Sequence, residues 1–188
     1  MSFAISASIL AVIVLQSPSK CFNVAPLDLA VAIIPEPSLR RKFRERGADS
    51  AEVSVFGYVA ALAAYSEPEC EAWRLRLVTY LRSNREYATD RLLSMGMRCV
   101  SPEASYLMWM DATTCLPKDS DAEALFLEGG VGLSGGEPFG GGKGTVRINF
   151  ACKRETLEEG LARMEGALAA IRAKVLKQDR QPARREDL

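Results

Sequence analysis

Histidine is missing from this chain altogether. Its absence excludes histidine-based metal sites, Ser–His and Cys–His nucleophile pairs, and an imidazole pH switch. Paired cysteines are missing too. Cys21, Cys70, Cys99, Cys115 and Cys152 are scattered with no Cys-x-x-Cys spacing. An odd, irregular set argues against a disulfide framework and against a zinc site, so no metal is expected, and it suits a reducing, cytoplasmic compartment. Excess charge is absent as well: 24 acidic residues balance 24 basic ones. That leaves no electrostatic case for a nucleic-acid partner or an anionic membrane surface. One apolar stretch, residues 3–15, is broken only by Ser6 and Ser8. It is shorter than the roughly 20 residues that span a bilayer. It also lacks the basic flank and clean cleavage site of a signal peptide, and is read as buried strand. The β-branched Ile9, Val12, Ile13 and Val14 support that reading.

What remains is the composition of a globular protein, with 48% hydrophobic and 26% charged residues over 188 positions. That length suits one ordinary domain or part of a larger one. A second apolar run, residues 24–34, follows the first across a Ser/Pro turn and ends at Pro35-Glu36-Pro37. The two runs read as adjacent strands in the middle of a sheet. Residues 38–46 are basic and helical, with Ser38 as the expected cap. Residues 51–65 place Val53, Phe56, Val59, Ala60, Ala63 and Ala64 at helical spacing, rich in alanine for close packing. Pro68, flanked by Glu67 and Glu69, opens the longest helical signal, which runs to about Met95. Such a helix spans about 40 Å, enough to link two domains.

Beyond Gly96 the pattern becomes a small α+β unit. Strands are expected over residues 97–100, 105–111, 131–133 and 145–150. A short helix over 119–127 is capped by Asp119 or Ser120. An amphipathic helix over 154–173 aligns Leu157, Leu161, Met164, Leu168 and Ile171 on one face. The charged tail from Lys174, containing Pro182, reads as disordered after about Gln178.

Three features bear on chemistry. Lys20, in Gln16-Ser17-Pro18-Ser19-Lys20-Cys21-Phe22-Asn23, leaves an apolar run instead of an exposed helix face. A lysine among packed neighbours loses its proton more readily, because desolvation disfavours the charged form, and the neutral amine can condense with a carbonyl. Read alone, the same residue is one of many solvated lysines. The glycine-rich stretch 135–144 matches neither a P-loop nor a dinucleotide fingerprint. It reads as a mobile connection that holds Phe139 near the next strand, as a lid or mouth would. In Thr145-Val146-Arg147-Ile148-Asn149-Phe150, alternation sets Thr145, Arg147 and Asn149 on one face. Arg147 therefore needs either an internal acidic partner or a carboxylate ligand, which its planar fork fits bidentately. Asn149 would orient the arginine or its partner. Tyr106 and Trp109, taken alone, read as core residues on opposite faces of their strand.

In order and spacing, these residues resemble fold-type I pyridoxal-phosphate enzymes of the class I/II aminotransferase superfamily, and most closely the MalY/PatB type of cystathionine β-lyase. The resemblance rests on Ser17-Pro18-Ser19-Lys20 with Phe22-Asn23, Leu39-Arg40-Arg41, Phe56-Gly57, Ala64-Tyr65, and Tyr80-Leu81 with Asn84. It continues through Tyr106-Leu107-Met108-Trp109-Met110-Asp111, Phe139-Gly140 with Gly144, and Val146-Arg147-Ile148-Asn149-Phe150-Ala151-Cys152. It implies an α/β fold, the C-terminal part of a PLP-dependent transferase-like architecture. Residues 1–66 would end the cofactor-binding large domain, 67–95 form the interdomain helix, 96–174 form the small α+β domain, and 175–188 form the tail.

The resemblance further implies that Lys20 carries pyridoxal 5'-phosphate and moves the substrate α-proton. Ser17 and Ser19 would donate to the cofactor phosphate, and Arg147, with Asn149, would hold the substrate carboxylate. The implied reaction is a carbon–sulfur β-lyase acting on a sulfur-containing amino acid. The alternatives are an aminotransferase and a non-catalytic remnant or dimerising module. A homodimer is expected where the large domain is complete. Two departures stand out. The chain starts where the family's large domain is more than half finished, so apolar sheet edges are expected to be exposed and the chain alone to be catalytically incomplete. Pro26 also stands where the family usually has glycine, which alters the turn beyond Asn23.

Overall fold

In a computed structural model of the chain, residues 12–47 and 52–179 are described. The chain divides between Leu77 and Val78 into two compact units. The first contains β1 (Val14–Gln16), β2 (Val31–Ile33), α1 (Pro37–Arg46), α2 (Val55–Ser66) and the start of α3 (Pro68–Ser94). The second contains the rest of α3, then β3 (Arg98–Cys99), β4 (Leu107–Asp111), α4 (Ala122–Glu128), β5 (Ser134–Gly135), β6 (Thr145–Asn149) and α5 (Arg154–Asp179).

In the first unit the two apolar runs do pair, antiparallel, with Val14 opposite Ile33 and Gln16 opposite Val31. They do not lie within a wider sheet among the described residues, and they are not buried. Leu15 is 68% exposed, because three-residue strands in a two-stranded pair have no layer to pack against. Most of the first apolar run, residues 1–11, lies outside the described residues. The turn beyond Asn23 accommodates Pro26 in a 3-10 turn, Ala25–Leu27, whose early positions require no N–H donor.

Helix α1 is capped by Glu36, not by Ser38: its carboxylate accepts from the Ser38 and Leu39 amides, and Pro37 occupies the first turn. Proline at that position moves the start one residue ahead of the expected one. Helix α2 is capped by the Ser54 hydroxyl, which accepts from the Gly57 amide at 3.0 Å. A Cβ on Gly57 would stand 2.5 Å from the Leu27 carbonyl oxygen, so glycine is what lets α2 approach the 3-10 turn. The buried face of α2 is Gly57, Ala61 and Ala64, whereas Phe56, Val59 and Leu62 are exposed. The small residues set the contact, and the large apolar ones point away from it.

The second unit holds the main core. Its four-stranded sheet runs β3-β4-β6-β5, with every neighbouring pair antiparallel. Strands β4 and β6 pair over five positions, with Met108 opposite Ile148 and Met110 opposite Val146. Those four side chains are buried with Phe126, Phe150, Leu92, Leu157, Leu161, Met164 and Leu168, so α3, α4 and α5 cover one face. The alternation in β6 and the apolar stripe of α5 thus take their expected faces. Helix α5 continues past Ala173 to Asp179 because no helix breaker intervenes there. Residues 180–188 lie outside the described residues.

Two boundaries move. Helix α4 is capped by Asp121, whose Oδ1 accepts from the Ala124 amide at 3.0 Å, while Asp119 lies in a left-handed turn at φ 63°. The strand expected at 131–133 forms at Ser134–Gly135 instead. The Val131 amide is already committed to the Phe126 carbonyl, closing the end of α4 behind Gly130 at φ 80°.

Asn84 joins helix to sheet. It is fully buried, and its Nδ2 donates to the Phe150 carbonyl at 3.1 Å and the Cys152 carbonyl at 2.9 Å. It holds α3 against the end of β6 and the approach to α5. Nearby, the Tyr80 hydroxyl accepts from the Arg154 amide at 2.7 Å. Asn84→Ala leaves one buried and one partly buried carbonyl without this donor, and is expected to lower unfolding free energy by about 2 kcal/mol in urea titrations. Asn84→Leu, of similar volume, is expected to do no better, because the carbonyls stay orphaned. A variant as stable as the parent would remove Asn84 from this role.

Candidate functional site

In the first unit, the lysine turn is organised by its serines and by Phe22. The Ser17 hydroxyl lies 2.6 Å from the Leu29 carbonyl and 2.6 Å from the Ser19 hydroxyl, and it accepts from the Ser19 amide at 3.1 Å. A hydroxyl has one proton. The Ser17 proton goes to Leu29, so Ser19 is the donor in the serine pair. The backbone closes with the Phe22 amide on the Pro18 carbonyl and the Val24 amide on the Ser19 carbonyl. Asn23 takes the left-handed conformation at φ 56°, which asparagine tolerates well. The Phe22 ring stacks on Trp73 at 6.0 Å and meets Tyr65 edge-on at 6.4 Å. These contacts fasten the turn to α2 and α3 within the first unit. The stacking partners of Phe22 were not legible from spacing, because they lie far along the chain.

Lys20 projects from this turn and is exposed. Among the described residues the packed surroundings expected for its amine are not formed, because the strand before it is itself exposed. Beside it, burial pushes the Cys21 thiol up, partly opposed by the Arg74 guanidinium. Burial likewise raises the Tyr65 hydroxyl.

In the second unit, Arg147 lies on β6 directly opposite Trp109 on β4, on the sheet face away from the helices. Trp109 is therefore not the core residue its sequence suggested; it is 43% exposed, while its neighbours Met108 and Met110 are buried. The Arg147 guanidinium carbon sits 4.6 Å from the Phe139 ring centre and 5.9 Å from that of Trp109. No carboxylate among the described residues is within ion-pair distance of Arg147. Its hydrogen bond is a long one, 3.4 Å to the Ser134 hydroxyl. Of the two readings left open by the sequence, an internal salt bridge is thus not formed. Asn149 does not orient Arg147. Its Oδ1 accepts from the Ala151 amide at 2.9 Å, and so shapes the exit of β6.

The glycine-rich stretch is tied down. The Gly136 amide donates to the Thr145 carbonyl and the Gly141 amide to the Gly136 carbonyl. A 3-10 turn, Glu137–Phe139, presents Phe139, and Gly140 at φ 83° closes it. A cavity of about 470 Å³ opens beside this turn, with Arg98, Cys99, Val100, Trp109 and Phe139 among its walls. Asp111 at its edge is held by the Thr113 hydroxyl and amide and by the Arg98 guanidinium.

The family model for aminotransferase class I and II matches residues 4–164. The chain belongs to the class I and II aminotransferase family. Within it, the chain is 34% identical over 162 residues to the cystathionine beta-lyase PatB of Bacillus subtilis, covering 81% of this chain and 41% of that protein. The crystal structure of OvoB is similar at 40% identity and a TM-score of 0.77, covering 84% of this chain and 41% of that one. A PLP-bound C-S lyase from Staphylococcus hominis, in complex with L-cycloserine, is similar at 30% identity and a TM-score of 0.74, over 86% and 40% of the two chains. The chain spans about two fifths of the length of the curated relatives it matches. It carries the corresponding part of an α/β fold. None of the described helices is long and apolar enough to cross a membrane.

The Asp111 cluster gives a pH test within this family member. The Thr113 hydroxyl first, against a smaller opposing effect of burial, and then the Thr113 amide and Arg98 hold the Asp111 carboxyl below the usual carboxylate range. A carboxyl lowered on folding contributes stability that is full above its unfolded value of about 4 and is lost as pH falls through the folded value. Asp111→Asn is therefore expected to destabilise at pH 7, and the difference from the parent to shrink in urea titrations as pH falls below about 4. A difference independent of pH would rule out the charge as its source.

Proposed function

We propose that this chain supplies the cofactor-carrying lysine and the substrate-carboxylate arginine of a pyridoxal-phosphate-dependent carbon–sulfur β-lyase. The observation that carries the reading is Arg147, an arginine on an open sheet face with no carboxylate counter-ion among the described residues and a single long hydrogen bond, 3.4 Å, to the Ser134 hydroxyl. The similarity to proteins named as cystathionine beta-lyase and PLP-bound C-S lyase supports the lyase class. Residues 1–66 then close the cofactor-binding domain, 67–95 link it onward, and 96–174 form the small domain. The overall reaction is water plus L-cystathionine giving homocysteine, pyruvate and ammonia. A reducing compartment such as the cytoplasm suits its free cysteines.

The donor set of the lysine turn fits the cofactor in kind: an exposed amine, which can condense with an aldehyde, and two hydroxyls within four residues for a phosphate. The two serines are not equivalent. Ser19 spends its proton only on Ser17, and rotation about χ1 re-aims it at a phosphate oxygen. Ser17 would have to surrender its bond to Leu29, so its first task is to hold the turn. Pyridoxal phosphate supplies the electron-withdrawing ring that accepts the electron pair left at the substrate Cα. The Lys20 amine would hold the cofactor and would serve as the base for the substrate α-proton. Arg147 fixes the α-carboxylate through paired N–H donors, so that the proton to be removed is presented consistently. Departure of the thiolate from Cβ completes the elimination.

An aminotransferase would use the same lysine and arginine, and the family's own range favours keeping that second reading. The exposed large residues of α2 favour a third, a non-catalytic module. Incubation with pyridoxal phosphate followed by borohydride reduction is expected to label the peptide containing Lys20 ahead of the other lysines. Absorbance at equilibrium is expected to be weak, whereas reduction accumulates a sparsely populated adduct. Lys20→Ala should leave only background labelling; uniform labelling of all lysines would rule out a cofactor role. Pyruvate from L-cystathionine without a keto-acid acceptor separates lyase from aminotransferase.

A further inference from the structure

Two aromatic rings pack on one side of the Arg147 guanidinium, and the Ser134 hydroxyl accepts one long hydrogen bond from it. Phe139 approaches the guanidinium at 4.6 Å and Trp109 at 5.9 Å, and the two rings meet each other at 5.2 Å with planes 71° apart. Both distances lie within the range over which a cation is attracted to a ring face. The acid on the same face of β4, Asp111, is withheld from Arg147: one oxygen is taken by the Thr113 hydroxyl and amide, and the other by Arg98. The ring that makes the closer contact is itself fixed. Phe139 closes a 3-10 turn through its amide on the Gly136 carbonyl. Gly136 is so close to β6 that a Cβ there would stand 1.8 Å from the Thr145 hydroxyl.

We propose that Phe139 and Trp109 are positioning residues whose ring pair packs on one side of the Arg147 guanidinium and so holds its remaining N–H donors in place for a substrate carboxylate. The inference rests on the carboxylate-binding reading above and deepens it. An arginine without such contacts samples many rotamers and must be ordered at each binding event, whereas one packed against rings is ordered beforehand, which lowers the entropic cost of capture.

The test uses the full 188-residue chain with Trp73→Phe, so that emission reports on Trp109 alone. L-Methionine is titrated, with 3-(methylsulfanyl)propan-1-amine as the same molecule without its carboxylate. A saturable emission change is expected with methionine and not with the amine, and Arg147→Lys should abolish it. Phe139→Leu is expected to raise the midpoint concentration about 3- to 10-fold, the range of a partly exposed cation–ring contact, and Phe139→Tyr to restore it to within about twofold. Far-UV dichroism should be unchanged in each. If Phe139→Leu loses its fold, Phe139→Met is used instead, which fills the space without a ring face. A midpoint unchanged in Phe139→Leu while Arg147→Lys loses binding overturns the positioning role and leaves the carboxylate reading standing. No response to methionine, or an equal response to the amine, overturns both the positioning role and the carboxylate reading. The labelling of Lys20 is read independently of either result.

Discussion

Antiparallel pairing of β4 with β6 decides what every other residue of the second unit can do. The register sets Met108 and Met110 against Ile148 and Val146 on one face, and Trp109 against Arg147 on the other. Side chains alternate strictly along a strand, so a slip of one position would put the arginine into the methionine core and the methionines into solvent. Burial of the inner four under α3, α4 and α5 therefore specifies, at no further cost, that Arg147 faces outward. Asn84 and Tyr80 reinforce the same arrangement from α3, by holding the segment that leaves β6 and enters α5.

The two units solve their local problems with different chemistry. Around Arg147 the organising contacts are aromatic, and the nearby ion pair of Arg98 with Asp111 is self-contained. Around Lys20 the organising contacts are hydrogen bonds from serines to backbone, and one phenylalanine wedged against a tryptophan and a tyrosine. In the roles proposed for them, the Lys20 amine needs freedom to exchange partners, whereas the Arg147 clamp gains from rigidity.

Much of this was legible in the sequence, for reasons that can be named. The long α3 helix announced itself through Pro68 among glutamates and an unbroken run without glycine until Gly96. The α5 stripe and the β6 alternation followed from periods of 3.6 and 2. The caps were misplaced by one or two residues, because Glu36 and Asp121 compete with adjacent Ser38, Asp119 and Ser120, and only the backbone conformation selects among them. Burial was misjudged for the N-terminal strands: apolar composition marks a surface that wants a partner, and cannot say that the partner is in the same chain. The family motif drew attention to Lys20 and Arg147, but not to the ring–guanidinium contact. Strand alternation would have placed Trp109 beside Arg147. Phe139 reaches it only through the folded glycine turn.

The apolar core is concentrated between Ala88 and Leu168, whereas among the described residues of the first unit the buried hydrophobic side chains are Leu29, Ile34, Ala61 and Ala64. Heat capacity and melting cooperativity follow buried apolar surface, so calorimetry of this chain would mostly record the half that bears the arginine. Changes in the lysine turn would pass through such a screen almost without trace. Sequence drift there is consequently weakly restrained by folding, and an intact Ser-Pro-Ser-Lys turn is a feature that structural stability by itself does little to preserve.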